Sequence, residues 1–416
     1  MCQKNTTDGA SVNIVVVSDF AYVNGGNASV ALSSAIRLAQ QGDAVTLFAG
    51  AGPVDPRIGS SAITVVCTDQ QAIGEDPKRT RAITQGIWNI KAARMMAQVL
   101  QSVDLGRTII HVHGWDKVLS SSVIRTALAM GAKVVCTLHD YVSVCPNGGF
   151  YNHPHDEICP LRPMSFSCIR EGCDRRGYTH KLWRVARQVV QKQWGLVPDG
   201  IRHVIVVSEF SRRILNPCLS PATRIHHVPN MISVPRGVAT SPHERTAYVM
   251  VGRMSREKGP HLLARVAART DWDVRFVGGG ESLADIKRMA PRATVTGWVP
   301  HDQAMKELAG ARALVFPSLW YETEGLVVLE AAALGIPAIV ADSCAARDLV
   351  SDGDTGLYFR SGDEQSLQAA MARLQDDRLV RRLGAAAYDR YWKHPRSMTN
   401  HIRALKRVYE LVLNES

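Results

Sequence analysis

Glu322 and Glu330 stand eight residues apart in the run Tyr321-Glu322-Thr323-Glu324-Gly325-Leu326-Val327-Val328-Leu329-Glu330, and their setting points to the binding of hydroxyl groups. From Leu326 to Leu334 the chain reads LVVLEAAAL, apolar on every face, which predicts a helix buried on all sides with Glu330 as its only charge. A buried carboxylate is costly unless protein or ligand supplies donors. Side chains of a helix lean toward its N-terminus, so Glu330 can reach back to the helix mouth, where free backbone N–H groups also point. Gly325 opens that mouth and Glu322 stands just outside it. The site thus offers acceptors for sugar hydroxyls beside donors and a positive dipole end for phosphate. A core helix whose Glu is satisfied internally is the plain alternative.

A cationic motif precedes it. Val251-Gly252-Arg253-Met254-Ser255-Arg256-Glu257-Lys258-Gly259 follows a predicted strand, so Gly252 turns the backbone and Arg253 and Lys258 emerge at the strand's carboxyl end. A planar fork and a point charge together suit a diphosphate without needing a metal. Gly278-Gly279-Gly280 and Gly297-Trp298-Val299 end two further strands, and Gly25-Gly26 lies between the first strand and the first helix. These glycine turns are weak signals alone, although the position of Gly25-Gly26, after the first strand, is the usual place for backbone to approach a substrate. His139, in Thr137-Leu138-His139-Asp140, closes a buried strand, where it can bond a sugar hydroxyl or be satisfied in the core by Asp140 or backbone.

The elements that must position these residues alternate along the chain. Strands are predicted at Val12–Val17, Ala44–Phe48, Ile109–Val112, Lys133–Leu138 and His203–Val207, with a helix from about Asn27 to Gln41. The pattern restarts at Ala247–Val251 and continues through Asp273–Val277, Ala293–Thr296, Ala313–Phe316 and Ala338–Val340. Ser233 to Glu244, with Pro235, Gly237 and Pro242, reads as a linker. Met398 to Leu413 reads as a basic amphipathic helix with no strand after it. This is an α/β chain of two doubly wound parallel sheets, with ligands expected at the carboxyl ends of the strands, in the cleft between two facing domains. A length of 416 residues fits two cores better than one.

An apolar fraction of 46% and a charged fraction of 21% are ordinary for a soluble enzyme. The first apolar run lacks the flanks of a signal peptide and no run is long enough to span a membrane, so the expected place is the cytoplasm, with the nine cysteines mostly as thiols. The net charge of +11 is concentrated: Arg162 to Arg224 carries 12 basic and 4 acidic residues. Within it Lys181, Arg184, Arg187 and Lys192 recur beside Trp183, Val189 and Trp194, the mixture of a basic amphipathic helix that can lie on an anionic bilayer or be a solvated face. No recognised nucleic-acid motif accompanies the charge.

Taken together, Gly25-Gly26, the Thr-Leu-His-Asp stretch, Val207-Ser208-Glu209-Phe210-Ser211, Val228-Pro229-Asn230, Gly252-Arg253 with Lys258-Gly259, and Glu322 with Glu330 resemble glycosyltransferase family 4, the retaining nucleotide-sugar transferases of GT-B fold. The resemblance spans nearly the whole chain. It implies an acceptor-binding Rossmann-like domain over residues 1–232, a nucleotide-sugar-binding one over 245–397, and a terminal helix over 398–416 crossing back to the first. It further implies a nucleoside-diphosphate sugar as donor, no cofactor for catalysis, and transfer to a saccharide or lipid-linked saccharide for a surface polysaccharide, at the cytoplasmic face of the inner membrane. Arg253 and Lys258 would hold the diphosphate, Glu330 the ribose, Glu322 the transferred sugar, and Trp298 and Val299 the base. Gly252, Asn230, Gly325 and Leu326 would complete the donor site. His139 would lie near sugar and acceptor, and Gly25 and Gly26 near phosphate or acceptor. Glu324 departs from the family, which usually has an aromatic or small residue there. An epimerase on the same scaffold, or a binding module without turnover, are the rival readings. The stretch from Cys145 to Cys173 resembles an insertion of some surface-polysaccharide members. Its Cys145, Cys159, Cys168 and Cys173 are separated by 13, 8 and 4 residues, a poor match to zinc spacing, and are read as free thiols, a structural zinc site or disulfides.

Overall fold

Apolar runs become the central strands of two parallel sheets in the computed structural model, which describes residues 12–415. The first sheet comprises β1 (Asn13–Phe20), β2 (Ala44–Ala51), β3 (Ile63–Cys67), β4 (Thr108–Val112) and β5 (Lys133–Leu138). A small antiparallel hairpin, β6 (Tyr151–Asn152) with β7 (Glu157–Ile158), interrupts it before β8 (His203–Val206) and β9 (Arg224–His227) complete it. The second sheet comprises β10 (Tyr248–Val251), β11 (Val274–Val277), β12 (Thr294–Val295), β13 (Ala313–Phe316), β14 (Ala338–Ala341) and β15 (Gly356–Phe359). Four helices matter for the site: α1 (Gly26–Gln40), α2 (Tyr178–Gln193), α3 (Leu326–Leu334) and α4 (Met398–Asn414).

Strand order is β3-β2-β1-β4-β5-β8-β9 in the first sheet and β12-β11-β10-β13-β14-β15 in the second. Each order reverses once, between β1 and β4 and between β10 and β13. Loops leaving the carboxyl ends of those pairs diverge, and a crevice opens where they part. The reversals fall where Gly25-Gly26 and Gly252 to Lys258 leave their strands. The first strand is buried on both faces, with Val15 paired to Thr46 on one side and Ile110 on the other. Strands β3, β9 and β15 and the hairpin are absent from the strands predicted above. Most of β3 is only half-buried and β9 is half-buried or exposed throughout, so neither has the continuous apolar run of a central parallel strand.

Helix α4 lies on the first sheet. Ile402, Leu405, Val408 and Val412 pack with Leu32, Ala35 and Leu38 of α1, each large aliphatic group contributing about 1.5–3 kcal/mol by burial. Tyr409 reaches His111 in β4 (2.6 Å), and Lys133 at the start of β5 donates to the carbonyls of Val412 and Leu413 at the helix end (3.1 and 3.2 Å). The basic residues of α4 therefore ride on the outside of a helix whose apolar face is fully used.

Two stretches run side by side between the domains, residues 229–232 and the approach to α4. Ile232 N–H donates to Arg396 O at 3.1 Å, and His401 Nδ1 bonds Pro229 O at 2.8 Å. Glu324 is the pin. Buried between them, it accepts from Asn230 N–H (3.2 Å), Asn230 Nδ2 (2.7 Å) and the Arg396 guanidinium. The acid that departs from the family pattern is thus directed into the hinge. Asn230, expected among the donor contacts, has its amide N–H groups turned to Glu324 instead. Glu324→Ala should strand Arg396 and Asn230 with unanswered donors and destabilise the fold by about 2–3 kcal/mol, with Glu324→Gln losing about 1 kcal/mol. Urea unfolding followed by tryptophan fluorescence checks this; an unchanged midpoint in Glu324→Ala would remove the pin.

Candidate functional site

On the second domain the loops after β10, β11 and β13 are fitted to one another by glycine. Gly252 opens the first loop at φ +146°, and Gly278, at φ +135°, lies so near Gly252 O that a Cβ would collide with it. The short turn Arg256–Lys258 ends at Gly259, φ +70°, where a Cβ would strike the carbonyl of Pro317. Leu319 N–H then donates to Glu257 O at 2.8 Å, so the two loops share backbone. This close approach brings Lys258 and Glu322 together. The ammonium bonds Glu322 Oε1, Ser318 Oγ donates to the same oxygen at 3.0 Å, and Lys258 Nζ stands 5.2 Å from the centre of the Trp320 ring. Glu322 is buried, and its carboxylate is compensated by these contacts. Arg253 projects from the same loop with its side chain 65% exposed, 3.9 Å from Glu257.

Helix α3 starts at Gly325, whose φ of +98° turns the chain into the helix with no side chain capping the first N–H groups. Glu330, one turn in, has its side chain 13% exposed and accepts no hydrogen bond from the described residues; His301 Nε2, at 3.8 Å, is its partner in charge. Burial pushes its carboxyl upward against the pull of His301. Leu326 is half-buried at the mouth. Trp298, beyond β12, is 78% exposed and is backed by Gly279, where a Cβ would come within 3.1 Å of the tryptophan's own. Val299 beside it is half-buried.

Across the cleft, Gly25 takes φ +135° and Gly26 begins α1, both exposed. His139 is satisfied by neither Asp140 nor backbone, as the sequence would suggest, but by His113 from the loop after β4: Nε2 and Nδ1 are 3.0 Å apart. His113 in turn stacks near His111 (centroids 4.0 Å), which bonds Tyr409 of α4 and Thr137 Oγ1 (2.7 Å). Burial pushes His111 and His139 down to about 3 and His113 well down, so all three rings are neutral at physiological pH. Asp140 accepts instead from Val142 N–H (2.9 Å), and its carboxyl is raised to about 7 by burial and by Asp116. Asp19 at the end of β1 is raised to about 6 by the same causes, while accepting from the N–H groups of Lys117, Val118 and Leu119 at 2.8–3.0 Å. Asp19, Asp116 and His113 were missed in the sequence; an acid or histidine closing a buried strand is the signal that identifies Asp19 and His113, and Asp116, in the loop after β4, carries none.

The loop that carries Glu322 touches both domains. Thr323 Oγ1 donates to His139 O (2.9 Å), Ser208 Oγ to Thr323 O (2.5 Å), and Tyr321 packs against Phe210, Tyr141 and Phe150 with centroids 5.5–6.4 Å apart. Helix α2 corrects the reading of a basic outward face. Lys181 is 1% exposed and Arg187 7%, while Arg184 pairs with Asp174 at 2.6 Å. The large apolar groups exposed are Tyr178, Leu182 and Val189, with Trp194 just past the helix end, and of the four basic residues only Lys192 faces outward, beside Asp199 at 3.6 Å. Lys181 also corrects the metal reading. Its ammonium donates to Cys173 Sγ (3.2 Å) and Cys168 Sγ (3.6 Å), so a fixed cation stands where a zinc ion was considered. Cys145, Cys159, Cys168 and Cys173 are free thiols, and no group of three or more ligating side chains is placed to hold a metal among the described residues. No described helix is long and apolar enough to cross a membrane.

Comparison with known proteins follows the two halves. A family model described as Glycosyltransferase Family 4 matches residues 24–236, and one described as Glycosyl transferases group 1 matches residues 236–390. A GDP-mannose-dependent alpha-mannosyltransferase of Mycolicibacterium smegmatis is 36% identical over 148 residues, 35% of this chain and 39% of that protein. The match thus spans well under two thirds of that relative. A GDP-mannose-dependent monoacylated alpha-(1-6)-phosphatidylinositol monomannoside mannosyltransferase of Corynebacterium glutamicum is 23% identical over 310 residues, 66% of this chain and 80% of that protein. Among solved structures, a sucrose-phosphate synthase of Thermosynechococcus elongatus superimposes with a TM-score of 0.71 at 17% identity, covering 97% of this chain and 100% of that one. Anabaena HepE, solved with UDP and glucose, gives 0.66 at 13% identity, covering 96% and 100%. At such identities these two speak for the fold alone.

The buried histidines generate a test. An imidazole depressed in the folded state adds stability that is present above its unfolded value near 6.5 and is lost as pH falls below it. The stability difference between the protein and His113→Asn should therefore narrow as pH drops from 7 to 4.5, with Asp19 and Asp140 common to both. Melting temperatures of the two across that range check it, and a constant difference would contradict the burial of a neutral ring.

Proposed function

Because the chain belongs to glycosyltransferase family 4, we propose that it transfers a sugar from a nucleoside diphosphate to a saccharide or lipid-linked saccharide with retention at the anomeric carbon. The observation that carries this reading is the contact of Lys258 with Glu322 at the reversal of the second sheet. In a nucleoside-diphosphate sugar the diphosphate and the transferred ring are neighbours, so the cation that holds one and the acid that grips the other must also be neighbours.

On this reading Lys258, Arg253 and the first N–H groups of α3 receive the negative charge that develops on the β-phosphate as the glycosidic bond breaks. Glu322 holds hydroxyls of the sugar and Glu330 those of the ribose, whose O–H groups supply the donors its carboxylate lacks. Trp298 and Val299 border the base. The acceptor hydroxyl attacks from the face that the phosphate leaves, its proton passing to the departing phosphate oxygen, and no protein nucleophile or metal enters the step. His139, neutral and fixed by His113, is a hydroxyl partner rather than a proton store. Gly25 and Gly26 let backbone approach the acceptor side. The M. smegmatis and C. glutamicum relatives named above use GDP-mannose and HepE was solved with UDP and glucose, so GDP and UDP are the bases to try first. We assign the work to surface polysaccharide assembly at the cytoplasmic face of the inner membrane. For the membrane the support is the apolar row Tyr178, Leu182 and Val189 of α2 with Trp194, not its basic residues.

Thermal unfolding with a panel of nucleotide sugars tests the donor site, since a ligand that binds only the folded state raises the melting temperature. One GDP- or UDP-sugar should do so, and Lys258→Ala and Glu330→Ala should each weaken it by about 10- to 100-fold while folding normally. Wild-type affinity and turnover in both variants would refute the assignment. An epimerase would convert the donor without an acceptor, and a binding module would leave it intact with one; neither would release nucleoside diphosphate in step with glycosylated product. Separately, Leu182→Glu with Trp194→Glu should abolish co-sedimentation with anionic vesicles and spare nucleotide binding; persistence of co-sedimentation removes this contact.

A further inference from the structure

Between the insertion and the loop after β10 lies a cavity of about 560 Å³. Its walls include Lys117 after β4, Arg175, Arg176, Arg184 and Arg187 on or before α2, and Arg253 from the second domain, against the carboxylates of Glu75, Asp116, Asp174 and Glu257, so six cations face four acids. Cations from several separate elements converge there. Arg187 is the buried one. Of its guanidinium only Nη1 donates, to the carbonyl of Asp116 at 3.2 Å, and its Nε–H has no partner among the described residues. The Trp183 ring lies 5.2 Å beneath and fixes the plane of the fork. Arg184 is held by Asp174 and by Asn147 O (3.3 Å), and neither Lys117 nor Arg176 has an ion-pair partner among the described residues. The carboxylates of Asp116, Asp140 and Asp19 nearby offset part of its charge but none accepts a hydrogen bond from the fork, and an oxyanion at its edge would answer the unpartnered N–H groups.

We infer that this cavity binds a phosphate group of the acceptor, with Arg187 as the buried fork and Arg176, Arg184 and Lys117 around it. The assignment rests on the transferase reading, which puts donor and acceptor in one cleft, and adds the acceptor's chemical class. A phosphate suits the site better than a carboxylate because its oxygens point in several directions and its charge approaches two, as the converging cations require. The group can come from a free sugar phosphate or from a phosphate linking a saccharide to a lipid. In either case α2 supplies specificity on its inner face, which explains why a helix so rich in Arg and Lys turns most of that charge inward.

The test uses the full chain saturated with UDP or GDP, whichever raises its melting temperature, so that the donor's own diphosphate site is filled. Inorganic pyrophosphate is then titrated at constant ionic strength and followed by calorimetry. Binding is expected, weakened at least 10-fold in Arg187→Gln, partly kept in Arg187→Lys, and weakened several-fold in Lys117→Gln, an exposed position whose change leaves folding intact. Unchanged nucleotide affinity in each variant serves as the control for folding. Pyrophosphate that binds the protein and Arg187→Gln equally, or fails to bind the saturated protein, overturns the inference while the transferase reading stands. If neither nucleotide binds, both fall. Phosphatidylcholine vesicles carrying a polyprenyl phosphate give the second arm. Retention of the protein on them, lost in Arg187→Gln, assigns the phosphate to a lipid carrier; pyrophosphate binding without such retention assigns it to a soluble acceptor.

Discussion

The contact between Lys258 and Glu322 is the constraint from which the rest of the site follows. Opposite charges can be held together away from water only where backbone brings their loops into register and further bonds answer the carboxylate's remaining lone pairs. Here that geometry comes from Gly259 on Pro317, Gly278 on Gly252, the Leu319–Glu257 backbone bond, and the Ser318 hydroxyl. The Gly259, Leu319 and Ser318 contacts are available only where β10 and β13 lie side by side, and the Gly278 contact adds β11 on the other edge of β10. The sheet order, the glycines and the ion pair are thus one arrangement seen at three scales.

The same loop that carries Glu322 is gripped from the other domain, through Thr323 on His139 O, Ser208 on Thr323 O, and Tyr321 among three aromatic rings. Movement of one half against the other must therefore move the acid that would hold the sugar. Surface pairs such as Arg213 with Asp348 add little to closure, since exposed ion pairs are worth less than about 1 kcal/mol. The hinge has a different character: Glu324, Asn230 and Arg396 form a buried set beside the packed α4. Loop contacts that can part and a hinge that cannot are what a two-domain cleft needs to open and close around a substrate.

The alternation of strands and helices was legible because interior parallel strands are unbroken apolar runs, as at Ile14 to Val17 and Ala313 to Phe316. Edge strands were not, since Arg224 to His227 has no such run. The family resemblance brought Lys258 and Glu322 into one motif set, but nothing local identifies His113 as the partner of His139, because that contact depends on two strands being neighbours. Helix α2 shows a limit of another kind. Periodicity tells which residues share a face, and it does not tell whether that face looks outward; Lys181 and Arg187 look inward because thiols and the cleft receive them. Glu324 was visible as an anomaly, yet its meaning needed the chain to return at Arg396, 72 residues later.

A crystal structure of the protein with a bound nucleoside diphosphate tests the central claim most directly. The account requires the β-phosphate beside Lys258 and Arg253 at the mouth of α3, with the ribose hydroxyls on Glu330 and Glu322 left facing the adjoining space. A diphosphate seated elsewhere, with Lys258 still turned to Glu322 and the ribose away from Glu330, would contradict it.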